Sequence, residues 1–180
     1  EKTSPERPLV AVMVTDGLPT IGMTNSTSII EEFSSRNDGR VSVFTLGTVP
    51  QANGYLLDML GYRNRGDAYV VTSGRWDIPA AIQGRVLGSS RPVLTDLAVT
   101  FAADNKCEVY PELASNLYLD RSLVLFCRFP RNLEQLVFQV TGRAGPVACD
   151  MLFRLDVGKV PAGDSELRTR WVWQRIYSLM

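Results

Sequence analysis

The stretch Val14-Thr15-Asp16-Gly17-Leu18-Pro19-Thr20 is where residue type and spacing point most directly to chemistry. It closes an apolar run, Leu9 to Val14, that lacks alternation and so suits a strand buried on both faces of a parallel sheet. A carboxylate just past the C-terminal end of such a strand stands where open α/β sheets bind ligands. Asp16 is therefore a candidate metal-associated residue, with Thr15, Gly17 and Thr20 shaping the ligand-face loop. The same residues have a simpler reading: Asp-Gly is a turn signal, and Asp16 can bond the backbone of its own turn. Composition and spacing alone favour the turn.

Other reactive groups narrow the field. The chain has no histidine, which removes the commonest general base and the commonest transition-metal ligand. No Gly-x-Ser-x-Gly elbow, Gly-x-x-x-x-Gly-Lys loop or Gly-x-Gly-x-x-Gly fingerprint occurs, so a non-enzymatic protein is expected. Asp96, Asp104, Glu108 and Asp120 lack the tight spacing of a calcium loop and read as solvated turn residues. Cys107, Cys127 and Cys149 have no CxxC spacing. Cys127 and Cys149 fall in alternating patterns, where buried thiols packing as small hydrophobes are the favoured reading and a Cys127–Cys149 bridge the other.

The elements that must hold these groups follow from periodicity. After the first strand, Asn25 to Ser28 offers capping side chains, and Ser28 with Glu31 fits a capping box before Ile29, Ile30 and Phe33. Val41 to Leu46 is a second strand. Asn53 caps a helix carrying Leu56, Leu57 and Leu60, and Ala68 to Val71 is a third strand. Asp77 caps a helix with Pro79 in its first turn and Ile78, Ile82 and Val86 on one face. Strand and helix in alternation predict a parallel α/β layer over residues 1–88.

From Gly88 the period becomes that of strands. Leu97, Val99 and Phe101 alternate, as do Leu123 to Phe129, Leu136 to Val140 and Val147 to Val157, each with one face to bury. Gly142 to Gly145 reads as a hairpin connection, so residues 89–160 are expected to form an antiparallel, sandwich-like β domain. Residues 161–180 return to a helix capped by Asp164 or Ser165. Its Leu167, Trp171, Ile176 and Leu179, with Trp173 and Tyr177, are expected to pack on the β domain rather than form an aromatic binding patch.

Nineteen basic and nineteen acidic residues cancel, which leaves no footprint for nucleic acid or an anionic membrane. No apolar run approaches the roughly 20 residues that span a bilayer, so membrane insertion is not expected. The start at Glu1, with no basic and apolar signal region before Leu9, reads as a processed piece of something larger.

Thr15-Asp16-Gly17 followed by Pro19-Thr20 resembles the fourth-strand motif of von Willebrand factor A domains, and the agreement runs through Ser42 to Gly47 and on to Val71. The form Asp16-Gly17-Leu18-Pro19-Thr20-Ile21-Gly22 is most similar to the A domains of inter-alpha-trypsin inhibitor heavy chains and their bacterial relatives. Pro92 to Leu97, Val109-Tyr110-Pro111 and Trp173 to Ile176 resemble the β-rich region that follows there. The resemblance implies the C-terminal half of a Rossmann-like A domain followed by an all-β region. It further implies a protein-binding or adhesion role and an extracellular or cell-envelope location. In the intact domain a divalent cation, Mg²⁺ or else Mn²⁺ or Ca²⁺, would sit at a metal-ion-dependent adhesion site to which Asp16 contributes. The family's Asp-x-Ser-x-Ser loop is not in this sequence. Metal binding by this chain is therefore expected to be weak or absent. The family's strand order also leaves Leu9 to Val14 as an unpaired edge, which calls for a missing N-terminal half supplied in trans or for self-association through that edge. The alternative is a structural interaction fragment without a working metal site.

Overall fold

A computed structural model describes residues 8–70, 77–102 and 107–180. Val71 and Asp104, which figure in the expectations above, lie outside the described residues. The N-terminal layer runs β1 (Leu9–Thr15), α1 (Ser26–Asn37), β2 (Val41–Gly47), α2 (Gly54–Arg63), β3 (Ala68–Val70) and α3 (Ile78–Ser89). Its three strands are parallel in the order β1-β2-β3, with Thr15 beside Gly47 and Gly47 beside Val70, so the strands end on a common edge.

Side-chain caps set the helix starts. Asn53 accepts from the Leu56 amide and Asp77 from the Ala80 amide, each satisfying an otherwise orphaned N–H of a first turn. The first helix departs from the expected capping box. It begins at Ser26, and Asn25 is the cap, accepting from both the Ser28 amide and the Ser28 hydroxyl.

α1 and α2 enclose Ile30, Leu56, Met59 and Leu60, with Met13, Phe33, Tyr62 and Tyr177 at the margin. Each such fully buried side chain stabilises the fold by about 1.5–3 kcal/mol. α3 is different. Ile78 and Val86, expected on a buried face, are exposed, and β1 itself is only half-buried along most of its length. The β1 edge and the α3 side of the sheet are thus left partly wet.

The C-terminal part comprises β4 (Pro92–Phe101), β5 (Glu108–Tyr110), β6 (Leu117–Tyr118), β7 (Phe126–Arg128), β8 (Gln135–Ala144), β9 (Val147–Asp156) and α4 (Ser165–Leu179). One antiparallel sheet has the order β6-β4-β8-β9, and β5 and β7 form a separate antiparallel pair. β4 carries a bulge where Asp96 takes a left-handed φ of 51°, which shifts the register to β8 between Thr95 and Ala98. Leu94, Leu97 and Ala114 centre the core here, with Leu123, Leu125, Val140 and Cys149 packed against them.

Four expectations need correction. The alternation from Leu123 yields strand only over Phe126–Arg128; Leu123 and Leu125 pack into the core from irregular chain. The hairpin connection is Gly145-Pro146, because β8 pairs with β9 through Ala144 opposite Val147. β9 does not bury one face: as an edge strand it is exposed nearly throughout, with Leu152 70% exposed. α4 is likewise mostly in solvent. Trp173 is 56% exposed and Leu179 80%, while Trp171 and Tyr177 make its packed contacts.

The two layers meet at a close seam. Phe44 of β2 and Tyr118 of β6 are both buried and touch edge to face at 5.9 Å between centroids, with the Arg121 guanidinium over the Phe44 ring. Buried Asn116 donates to the Ser42 hydroxyl at 3.2 Å. Asp67 accepts from Arg85 on α3 and from Arg121, tying three segments through one carboxylate.

Candidate functional site

The candidate loop leaves β1 at the common C-terminal edge of the parallel strands, beside the N-termini of α1 and α2. Its shape is set by small, local bonds. The Gly17 amide donates to Thr15 Oγ1 at 3.1 Å, and the Leu18 amide donates to Asp16 Oδ1 at 3.0 Å. Gly17 has φ 67°, and a Cβ there would lie 3.2 Å from Leu57 Cγ and 3.3 Å from the Asn53 carbonyl oxygen. Both the left-handed backbone and the close approach of α2 call for glycine.

Asn53 anchors this loop, a role the sequence suggested only as a helix cap. Its backbone N–H donates to the Asp16 carbonyl at 2.8 Å, and its side-chain Nδ2 donates to Ser26 Oγ at 2.9 Å. One residue thereby holds the β1 loop, the start of α1 and the start of α2 together. Only the helix cap was visible in the sequence, because the other two bonds depend on the parallel register.

Asp16 itself is exposed at the surface of this edge, and Thr20 is exposed further along the loop. Thr15, Asp16 and Gly17 form one turn; Asp16 makes the turn bond that composition alone favours. A hard cation takes about six oxygen ligands, normally from more than one protein group. Among the described residues no three His, Cys, Asp or Glu side chains group to hold a metal. The residues present therefore do not fit a complete metal site. The remaining acidic candidates, Asp96, Glu108 and Asp120, are exposed and sit on different parts of the chain.

Several concavities lie elsewhere, among them two that border the C-terminal elements. A cleft of about 880 Å³ opens between β7 and α4, lined by Arg128, Arg131, Arg168, Leu167 and Trp171. A smaller cavity of about 300 Å³ lies at the seam, where the Tyr62 and Tyr118 hydroxyls and Asn116 Oδ1 have no hydrogen-bond partner among the described residues. Buried polar groups of this kind are commonly satisfied by a few ordered waters.

The cysteines are all reduced and half-buried. Cys149 packs beside the Leu94 core on β9, opposite Gly142. The neighbour of Cys127 is Cys107, not Cys149, and the two thiols share a hydrogen bond. Burial first, then that bond and the charge of Cys107, pushes the Cys127 thiol up to about 12.

No family model and no curated protein matches this chain. No helix among the described residues is long and apolar enough to cross a membrane.

Proposed function

We propose that this chain is a non-enzymatic protein-binding module, the C-terminal half of a von Willebrand factor A-like layer with a sandwich-like β domain attached. The observation that carries this reading is the exposed Asp16 at the C-terminal edge of a parallel sheet in which, among the described residues, the half-buried strand β1 is outermost and paired on one side. Metal coordination in the intact molecule would need further oxygen ligands from outside this chain, with Asp16 contributing one carboxylate and Thr15, Gly17 and Thr20 shaping the loop. The partner would then be a protein ligand at this edge. β1 would pair with the missing half or with a second copy. An extracellular or cell-envelope setting belongs to the same proposal and rests on the resemblance alone.

A second reading is favoured by one observation: Asp16 Oδ1 is already engaged by the Leu18 amide. In that case the chain is a structural interaction fragment without a working metal site. Titration calorimetry of the chain with Mg²⁺ and with Mn²⁺ separates the two. A weak, saturable heat that Asp16→Ala removes supports the first reading; no heat, or heat that Asp16→Ala leaves unchanged, favours the second.

A further inference from the structure

The strand pairing places two sulfurs together that are twenty residues apart in the chain. β5 and β7 run antiparallel with Val109 opposite Cys127 and Glu108 opposite Arg128. Cys107 lies one residue before β5, in step with Val109 by the two-residue alternation of strands, so Cys107 and Cys127 share one face as diagonal neighbours. Tyr110 and Arg128, from the alternate positions, meet Trp171 of α4. On the thiol face Val109 lines a cavity with Leu97 and Val99 of β4, and Cys127 also borders the cleft beside α4. Both thiols are half-buried, so solvent and small reagents reach them.

We infer that Cys107 and Cys127 form a dithiol site that closes to an intramolecular disulfide by exchange with a small-molecule disulfide of the glutathione class. The Cys107 thiolate attacks one sulfur of the reagent, whose S–S bond breaks; the departing thiolate takes up the proton that Cys107 released. Cys127 then gives its proton to solvent and attacks Cys107 Sγ, expelling the second small thiolate, which is protonated in turn. Two protein thiols are oxidised and one small disulfide is reduced to two thiols. Attack in the reverse order, Cys127 first and Cys107 second, gives the same product and the same balance. The diagonal geometry requires a small approach of the two backbones on closure, since disulfide Cα atoms sit nearer than typical diagonal strand neighbours. The closed loop would contain Asn116, Tyr118 and Arg121, which contribute to the seam.

Tryptic cleavage separates the three cysteines, onto peptides 107–121, 122–128 and 144–154. The full chain is equilibrated in glutathione buffers from reducing to oxidising, blocked with an alkylating agent and mapped without reduction. The expected product at the oxidising end is a cross-link of 107–121 to 122–128, two hydrogens lighter than the separate peptides, with Cys149 alkylated. Cys149→Ser retains this cross-link and Cys107→Ser abolishes it. Alkylation of all three cysteines throughout, glutathione adducts without a cross-link, or a bridge to peptide 144–154 each overturn the inference. The wild-type map alone decides the matter should Cys107→Ser fail to fold.

Discussion

The phenol of Tyr177 donates a hydrogen bond to the Asp58 carboxylate across 119 residues of chain, fastening the last turn of α4 to the side of α2. The same ring meets Tyr62 edge to face at 5.4 Å and joins the margin of the α1–α2 core. α4 is otherwise mostly exposed, so this contact and the Tyr110–Trp171 contact are its principal moorings.

Tyr177→Phe keeps the ring packing and removes the bond to Asp58. With both groups half-buried, the expected loss is about 1 kcal/mol, read from the midpoint of denaturant unfolding. The bond also sets a pH dependence. Tyr177 is pushed up to about 12 from 10.0, first by the bond to Asp58, then by burial and the charges of Asp58 and Tyr62. Tyr62 is pushed up to about 12 by burial first, then by Glu112 and Tyr110. Both phenols hold their protons in the fold beyond the pH at which unfolded tyrosine loses them. Their stabilisation is whole below about pH 10 and is lost as pH rises from 10 towards 12. Unfolding midpoints across that window, with tyrosinate absorbance followed in parallel, test this; an unchanged midpoint contradicts it.

Asn64 is fully buried and satisfies its neighbours on every side. Its Nδ2 donates to the Leu60 carbonyl at 2.8 Å and to Ser34 Oγ at 3.0 Å, while its Oδ1 accepts from Asn37 at 2.7 Å. Asn64→Ala strands these partners without water and is expected to cost about 2–4 kcal/mol. A measured loss below about 1 kcal/mol would show the network relaxing around the gap.

At the candidate site the order of two effects is fixed by geometry. Gly17→Ala forces a side chain into left-handed backbone against Leu57 and is expected to destabilise by about 1–2 kcal/mol. Asp16→Ala removes one exposed turn bond and is expected to cost about 0.5 kcal/mol. Thermal unfolding of the two variants should reproduce that ranking; a reversal would mean that Asp16 carries load the turn bond does not explain.

Local chemistry was the legible part of this molecule. Asn53 and Asp77 announce their helices because each stands three residues before the amide it caps. The start of α1 was less clear, since Asn25, Ser26, Thr27 and Ser28 can all cap, and the first of them does. Gly142 looked like turn material but lies inside β8. A Cβ there would stand 2.7 Å from Leu94 Cγ and 2.9 Å from the Thr95 carbonyl, so the glycine admits β4 rather than turning the chain. Periodicity gave the strands of β8 and β9 but not their surroundings: alternation says which side chains share a face, not whether anything covers it. Cys127 was compared with Cys149 because both lie in alternating runs, whereas its true neighbour is set by the β5–β7 register. The Asp16 turn was readable as a turn. Its stitching to Asn53 was not, because that bond exists only once β1 and β2 are side by side.

The Phe44–Tyr118 contact has a consequence for cooperativity. Each ring is buried by the other's layer, and Asn116 and Asp67 add polar ties across the same plane. Opening either layer would wet an aromatic ring and leave polar groups of the other without partners. The two layers are thermodynamically linked, so a perturbation of the antiparallel sheet is felt as a change in the opening free energy of the parallel one.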